Sequence, residues 1–168
     1  MERKSFVEEI PDWDEEEDVP AVDVQVAPDY CDLLSEERLR QIVEKVLDAE
    51  GVPSQVALVV TDDEGIRELS RDFLGIDEPT DVLSFSAQEE TEGFVAAPEV
   101  AEYLGDVIVS YPRAAAQAKE AGHTVDEEMA VLIIHGLLHL LGYDHADDDG
   151  RAAMWARQDA LLAMNQPE

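Results

Sequence analysis

The sequence predicts an α+β domain in which about five helices pack on a small mixed sheet of four strands. Its 168 residues, 45% of them hydrophobic, are enough for one domain with a buried core. Short segments alternate between apolar and polar residues as strands do, and longer ones repeat apolar residues at helical spacing. Strands and helices are interleaved, but too few strands follow helices regularly for a doubly wound sheet.

The first half of the chain predicts two strands and two helices. Residues 22–26 alternate at period two, which is typical of a strand. Ser35 is a good helix cap and Gly51 a good stop, so we expect a helix between them that ends near Ala49. Two further elements are a strand over 55–60 and a short helix that opens at Asp62 or Asp63.

The second half predicts two more strands and three helices. Residues 82–86 and 104–110 are apolar strands, separated by a polar loop over 89–102. Pro112 suits the first turn of a helix that Gly122 ends. Residues 124–127 form a capping box ahead of a helix over 129–141, and a last helix runs over about 147–164.

The charge of the chain is strongly acidic, with 41 Asp and Glu against 11 Lys and Arg and a net charge of −30. Such a surface repels nucleic acid at long range in dilute buffer. Two interpretations stay open: adaptation to a salty cytoplasm, where salt screens the repulsion, or a solvated acidic surface without functional meaning. Residues 1–20 concentrate acids and are expected to form a disordered arm, which leaves 21–165 as the domain.

The sequence also predicts a cytoplasmic location. It has no apolar run long enough to span a membrane, and its first residues lead into acids rather than a secretory signal. Cys31 is the only cysteine, which excludes an internal disulfide and a thiolate cluster. We therefore expect no membrane partner.

Three of the four histidines lie in one short segment. His135 and His139 are four residues apart, so a helix presents both imidazoles on one face. His145 follows Gly142, which can end the helix and turn the backbone toward the same site. Three protein ligands with a fourth position for water are typical of a catalytic zinc, and imidazoles favour Zn²⁺ over Ca²⁺ or Mg²⁺. We expect one Zn²⁺ per chain in a metal-dependent hydrolase domain.

The same spacing is found in the long metalloprotease motif H-E-x-x-H-x-x-G-x-x-H, with one difference. The general-base Glu of that motif is replaced by Gly136. Because glycine cannot take a proton from water, peptide hydrolysis by that mechanism is disfavoured.

Three blocks of sequence resemble the YbeY family, the bacterial rRNA maturation factor. They are the histidine segment over 135–145, Pro-Thr-Asp-Val-Leu-Ser-Phe over 79–85, and Leu-Gly-Asp-Val-Ile-Val-Ser over 104–110. The resemblance implies a zinc-dependent, single-strand-specific endoribonuclease that matures the 3′ end of 16S rRNA and acts in ribosome quality control. It also implies His135, His139 and His145 as ligands. The implied partners are single-stranded RNA, ribosomal RNA and the small ribosomal subunit, and no DNA is expected.

One position departs from the family pattern. Where the family commonly has an arginine, this chain has Leu74, and Arg71 one helical turn earlier is our candidate phosphate contact. Asp144 is a candidate to orient a ligand imidazole or to take a proton. Two alternatives stay open: a zinc metallopeptidase-like hydrolase, and a non-catalytic ribosome assembly factor whose metal is structural.

Overall fold

The computed structural model describes residues 22–52, 55–86, 103–143 and 147–165. The strands are β1 (Val22–Val26), β2 (Gln55–Thr61), β3 (Val82–Ser86) and β4 (Tyr103–Ser110). The helices are α1 (Glu36–Glu50), α2 (Asp63–Leu74), α3 (Tyr111–Ala121), α4 (Val125–Leu140) and α5 (Asp148–Met164), with a short 3-10 helix at Pro28–Tyr30. The predicted α+β class, with four strands and five α-helices, is confirmed.

Two predictions fall outside the described residues, namely the acidic arm over 1–20 and the polar loop over 89–102. The division into an arm and a domain therefore stays a prediction. Within the described part of the chain, no helix is both long enough and apolar enough to cross a membrane.

The four strands form one mixed sheet in the order β1-β2-β4-β3. The pairs β1–β2 and β2–β4 are parallel, whereas β3 runs antiparallel to β4 at the edge. Val24, Leu58 and Val107 lie in register across the three parallel strands and are all buried. The core therefore lies on the face of the sheet that these side chains share.

The predicted capping residues are present at the starts of α1 and α4. The Ser35 hydroxyl accepts a hydrogen bond from the Arg38 backbone N–H at 3.1 Å, and Gly51 ends α1 with a φ of 68°. Thr124 and Glu127 form the predicted capping box at the start of α4. Helix α4 begins at Val125, earlier than the predicted residue 129, because the capping box itself forms its first turn.

Helix α4 lies at the centre of the domain because it is apolar on nearly every side. Ile133, Ile134, Leu137 and Leu138 are all 0% exposed. The helix packs against β3 and β4 of the sheet and against α1, α3 and α5. Full burial of one such side chain contributes about 1.5–3 kcal/mol, so these contacts determine the position of α4.

Helix α5 packs one face against α4. Asp147 caps it, accepting a hydrogen bond from the Gly150 backbone N–H at 2.7 Å. Met154, Gln158 and Leu161 are spaced at helical intervals and are its buried residues. A polar amide on this otherwise apolar face needs a hydrogen-bond partner, and that partner is at the candidate site.

Candidate metal centre

Helix α4 brings two of the predicted ligands together. His135 and His139 project from the same face of the helix, and both side chains are half-buried. Their Nε2 atoms are 3.2 Å apart, and their ring planes make an angle of 79°. The predicted juxtaposition of these two imidazoles is therefore present, while their role as ligands stays a prediction.

The spacing of the two nitrogens fits a zinc ion. A tetrahedral Zn²⁺ bonded to two imidazoles at about 2.0–2.1 Å holds the two nitrogens about 3.3 Å apart. The Nε2 atoms of His135 and His139 are separated by 3.2 Å, which is close to that spacing and is also a hydrogen-bond distance between the two rings. Imidazole nitrogen is also the donor that zinc prefers over the oxygen-seeking Ca²⁺ and Mg²⁺.

Gln158 fixes the orientation of His135. The amide oxygen Oε1 of Gln158 is 3.0 Å from Nδ1 of His135, and Gln158 is 4% exposed. An amide oxygen can only accept, so the His135 proton is held on Nδ1 and the lone pair on Nε2. That is the tautomer a metal needs from an imidazole bound through Nε2. Sequence reasoning missed Gln158, and the available signal was one polar residue among apolar ones on the inner face of α5.

Gly136 lets α4 approach the sheet closely. A Cβ atom at this position would lie 2.8 Å from Val107 Cγ1 and 3.2 Å from Val82 Cγ2. The Ser84 hydroxyl donates to the Gly136 carbonyl at 2.8 Å, which ties strand β3 to the helix beside both histidines. A longer side chain at this position would push the helix off the sheet, so a glutamate base has no room here.

A cavity of about 400 Å³ opens at the two histidines, between β3 and α4. Its lining is Asp81, Val82, Leu83, Ser84, Ser86, His135, His139 and Leu140. None of these described lining residues is a lysine or an arginine. Asp81 is occupied by its own strand and by α3, because it accepts hydrogen bonds from the Val82 N–H at 2.7 Å and from Gln117 Nε2 at 3.2 Å. The main polar groups available to a ligand are therefore the imidazoles.

Of the other predicted site residues, the structure describes Arg71 alone, and it is not brought to this cavity. Arg71 lies near the end of α2, exposed, with its Nε 3.3 Å from Asp72 Oδ1, and it does not line the cavity. Leu74 is 51% exposed. Asp144 and His145 lie outside the described residues. Within the described part of the chain, no group of three or more His, Cys, Asp or Glu side chains could hold a metal ion, so the three-histidine site stays a prediction.

The turn that leads toward His145 is anchored to two helices. Gly142 has a φ of 102°, and α4 ends at Leu140 as the glycine predicts. The Tyr143 hydroxyl donates to Glu50 at 3.3 Å, and Arg157 of α5 forms a salt bridge with the same carboxylate. Burial, followed by the nearby Glu50 charge, raises the pKa of Tyr143, so the phenol stays a donor at neutral pH.

Comparisons with known proteins agree on one family. A family model described as endoribonuclease YbeY matches residues 26–166. The endoribonuclease YbeY of Roseiflexus sp. (strain RS-1) is 42% identical over 144 residues, covering 84% of this chain and 90% of that protein. The Moorella thermoacetica endoribonuclease YbeY is 46% identical over 129 residues, covering 74% and 83% of the two chains.

A solved structure shares the fold of this chain. The solution structure of TM1509 from Thermotoga maritima is similar with a TM-score of 0.59 and 28% identity, covering 86% of this chain and 88% of that one. The match of the family model includes β2 to β4 and all five helices, whereas the acidic residues before position 26 lie outside it. By the length of this match and the identity of its relatives, the chain belongs to the endoribonuclease YbeY family.

Proposed function

We propose that this chain is a zinc-dependent endoribonuclease that cleaves single-stranded RNA at the cavity beside β3. The observation that carries the proposal is the pair of Nε2 atoms on His135 and His139, 3.2 Å apart, within a chain of the endoribonuclease YbeY family. The cavity volume of about 400 Å³ is sufficient for part of a nucleotide chain.

In this proposal, some residues would hold the zinc ion and others orient its ligands and fix the shape of the cavity. His135 and His139 would hold the ion, and Gln158 keeps the His135 lone pair on Nε2. Ser84 holds strand β3 against α4 through the Gly136 carbonyl, which fixes the width of the cavity. When bound, zinc supplies Lewis-acid chemistry, polarising a phosphoryl oxygen and making water a better nucleophile at neutral pH.

Three further residues complete the proposed site. His145 is the proposed third ligand, and Asp144 beside it would orient a ligand imidazole or take a proton. Arg71 is the proposed phosphate contact, and it would have to leave its salt bridge with Asp72 to reach the substrate. These roles rest on sequence spacing and on the family resemblance.

The proposed substrate class is ribosomal RNA, notably the 3′ end of 16S rRNA, with the small ribosomal subunit as the partner in the cytoplasm. This assignment rests on the resemblance of the three sequence blocks to the YbeY family and on membership of a family of endoribonucleases. DNA and membranes are not expected as partners.

The peptidase alternative is physically disfavoured. A zinc peptidase of the long motif needs a glutamate where this chain has Gly136, and the packing of Gly136 on Val107 leaves no space for one. The alternative of a non-catalytic assembly factor gains support from the described cavity lining, which has no Lys or Arg to bind phosphate. A cleavage assay decides between an enzyme and an assembly factor.

The test is replacement of His139 by Ala, with zinc content and cleavage of single-stranded RNA measured together. Zinc binding should be lost, and the cleavage rate should fall by at least about a hundredfold, because the metal supplies the activation. The matched control is His123→Gln, since His123 hydrogen bonds to Glu128 and does not line the cavity.

Each outcome separates the possibilities. Loss of both zinc and cleavage in His139→Ala, with neither lost in His123→Gln, supports the site. Zinc loss with undiminished cleavage would place the chemistry elsewhere. If the wild-type chain cleaves no RNA but binds small-subunit particles, and the folded His139→Ala variant binds them equally, the assembly-factor alternative is correct.

A further inference from the structure

A large aromatic side chain stands exposed beside the candidate metal centre. Trp155 on α5 is 49% exposed, and its ring centroid is 6.4 Å from that of His135, with the planes tilted by 41°. Gln158 is three residues further along the same helix and hydrogen bonds to Nδ1 of the same imidazole. Helix α5 therefore makes two contacts with His135. Gln158, which is buried, hydrogen bonds to the imidazole, and Trp155, which is half exposed, lies beside the ring with its indole open to solvent.

Exposure alone would not assign a role to Trp155, since single exposed apolar side chains are ordinary on protein surfaces. Its position is what matters. Trp155 does not itself line the cavity, but its ring centroid is 6.4 Å from that of His135, which does. RNA bound through a phosphate at the two histidines would therefore have an exposed aromatic ring next to one of them.

Charge gives the second argument, because the described part of the chain offers RNA few cations. The described cavity lining has no lysine or arginine. Most described arginines form salt bridges with carboxylates of this chain, namely Arg40, Arg67, Arg71, Arg113, Arg151 and Arg157. With a net charge of −30, long-range attraction of phosphates cannot supply the affinity. Short-range contacts, with the metal and with the bases, have to supply it.

We propose that Trp155 stacks on an unpaired nucleobase adjacent to the scissile phosphate and thereby selects single-stranded RNA. This inference rests on the proposed endoribonuclease function. Stacking on aromatic side chains is tolerant of sequence, because every base has a π-face. It requires an unstacked base, which a duplex does not offer, so one residue provides both affinity and discrimination against double strands.

The test compares Trp155→Ala and Trp155→Phe with the wild-type zinc-loaded chain. Loss of one stacking contact weakens RNA affinity by roughly 5- to 150-fold. We expect Trp155→Ala to raise the KM for a single-stranded oligonucleotide by about 10- to 100-fold, with kcat changed less than about threefold and zinc content unchanged. Trp155→Phe should recover most of the loss, because a phenyl ring still stacks. Met164→Ala is the control, since Met164 is equally exposed at the far end of α5.

A direct binding measurement separates this inference from the proposed function. In a Trp13→Phe background, Trp155 is the only tryptophan, so its fluorescence reports on its own surroundings. A single-stranded oligoadenylate should quench that fluorescence, and a matched duplex should not.

If the wild-type chain cleaves no RNA, the proposed function fails, yet quenching by the single strand would still support stacking. If the wild-type chain cleaves RNA and Trp155→Ala keeps its KM, the function stands and the stacking inference is overturned. Equal quenching by duplex and single strand, or none by either, also overturns it.

Discussion

Gln158 shows how a single residue prepares a candidate ligand before any metal arrives. A buried amide is costly unless it is hydrogen bonded, and Gln158 at 4% exposure makes its bond to the Nδ1 of His135. That bond sets the tautomer and the ring orientation together. The cost of burying a polar group in the α4–α5 interface is thus offset by this hydrogen bond, which would also favour metal binding through Nε2 of His135.

Replacement of Gln158 should weaken zinc binding without removing a ligand. Gln158→Met keeps the shape of the side chain but has no strong acceptor, so His135 loses its restraint. We expect zinc affinity to fall by about 10- to 100-fold, the usual effect of losing a partner of a ligand histidine. Competition against a chelator of known affinity measures the change.

Gln158→Glu is the matched variant for that experiment. A carboxylate still accepts the Nδ1 proton of His135, so its zinc affinity should equal or exceed that of the wild type. If Gln158→Met binds zinc as tightly as the wild type, or if Gln158→Glu is as weak as Gln158→Met, the assigned tautomer is wrong. Unfolding by urea confirms that each variant is folded.

The residues of the site differ in how far the sequence reveals them. His135 and His139 can be paired from sequence because a helix fixes the geometry of positions four apart. Gln158 and His135 are 23 residues apart and meet only after α5 packs on α4, so no local pattern announces their contact. Trp155 meets His135 through the same packing. The positions of His145 and Asp144 stay predictions, and Arg71 does not line the described cavity.

At the scale of the element, the starts of the helices could be predicted from local sequence, whereas the order of the strands depends on long-range packing. Ser35, Asp62 and Thr124 cap their helices as expected, since a cap depends on its own turn. The order of the strands is different in kind. Strand β3 lies at the edge of the sheet, antiparallel to β4. It does not pair with β2, the strand that precedes it in sequence. That placement depends on contacts with α4 that no single segment encodes.

Helix α4 allows stability and metal binding to be perturbed separately. Thr124→Ala removes the capping hydrogen bond at its first turn and should lower the free energy of unfolding by about 1 kcal/mol. His135 lies eleven residues further along, about 16 Å away on the helix axis. Zinc affinity should therefore be unchanged. Urea unfolding and a zinc titration test both statements.

Gly136→Ala is the comparison variant on the same helix. Its Cβ would meet Val107 at 2.8 Å, so it should cost about 1–3 kcal/mol and also shift both neighbouring histidines relative to β3. Zinc affinity should fall in Gly136→Ala and stay unchanged in Thr124→Ala. Equal zinc affinity in the two variants would show that close packing at Gly136 does not position the ligands.

At the scale of the whole molecule, the net charge of −30 opposes both compaction and the approach of RNA. Exposed charges interact over about 10 Å at 0.1 M salt and about 3 Å at 1 M. Added salt should therefore raise the affinity of this chain for RNA, whereas RNA-binding proteins usually lose affinity as salt rises. Stacking on Trp155 would survive, because it does not depend on charge.

We expect added KCl to raise the urea midpoint of unfolding and to lower the KM for single-stranded RNA between 0.1 and about 1 M. Screening saturates as the interaction range shrinks, whereas stabilisation by salt exclusion continues to grow with concentration. A plateau above about 1 M therefore identifies screening, and sucrose at matched osmolality is the control. If the urea midpoint is the same at every KCl concentration, the salt-adaptation hypothesis is wrong, and the acidic surface is a solvated one without functional meaning. A KM that rises with KCl would mean that phosphate attraction, rather than base stacking, binds the RNA.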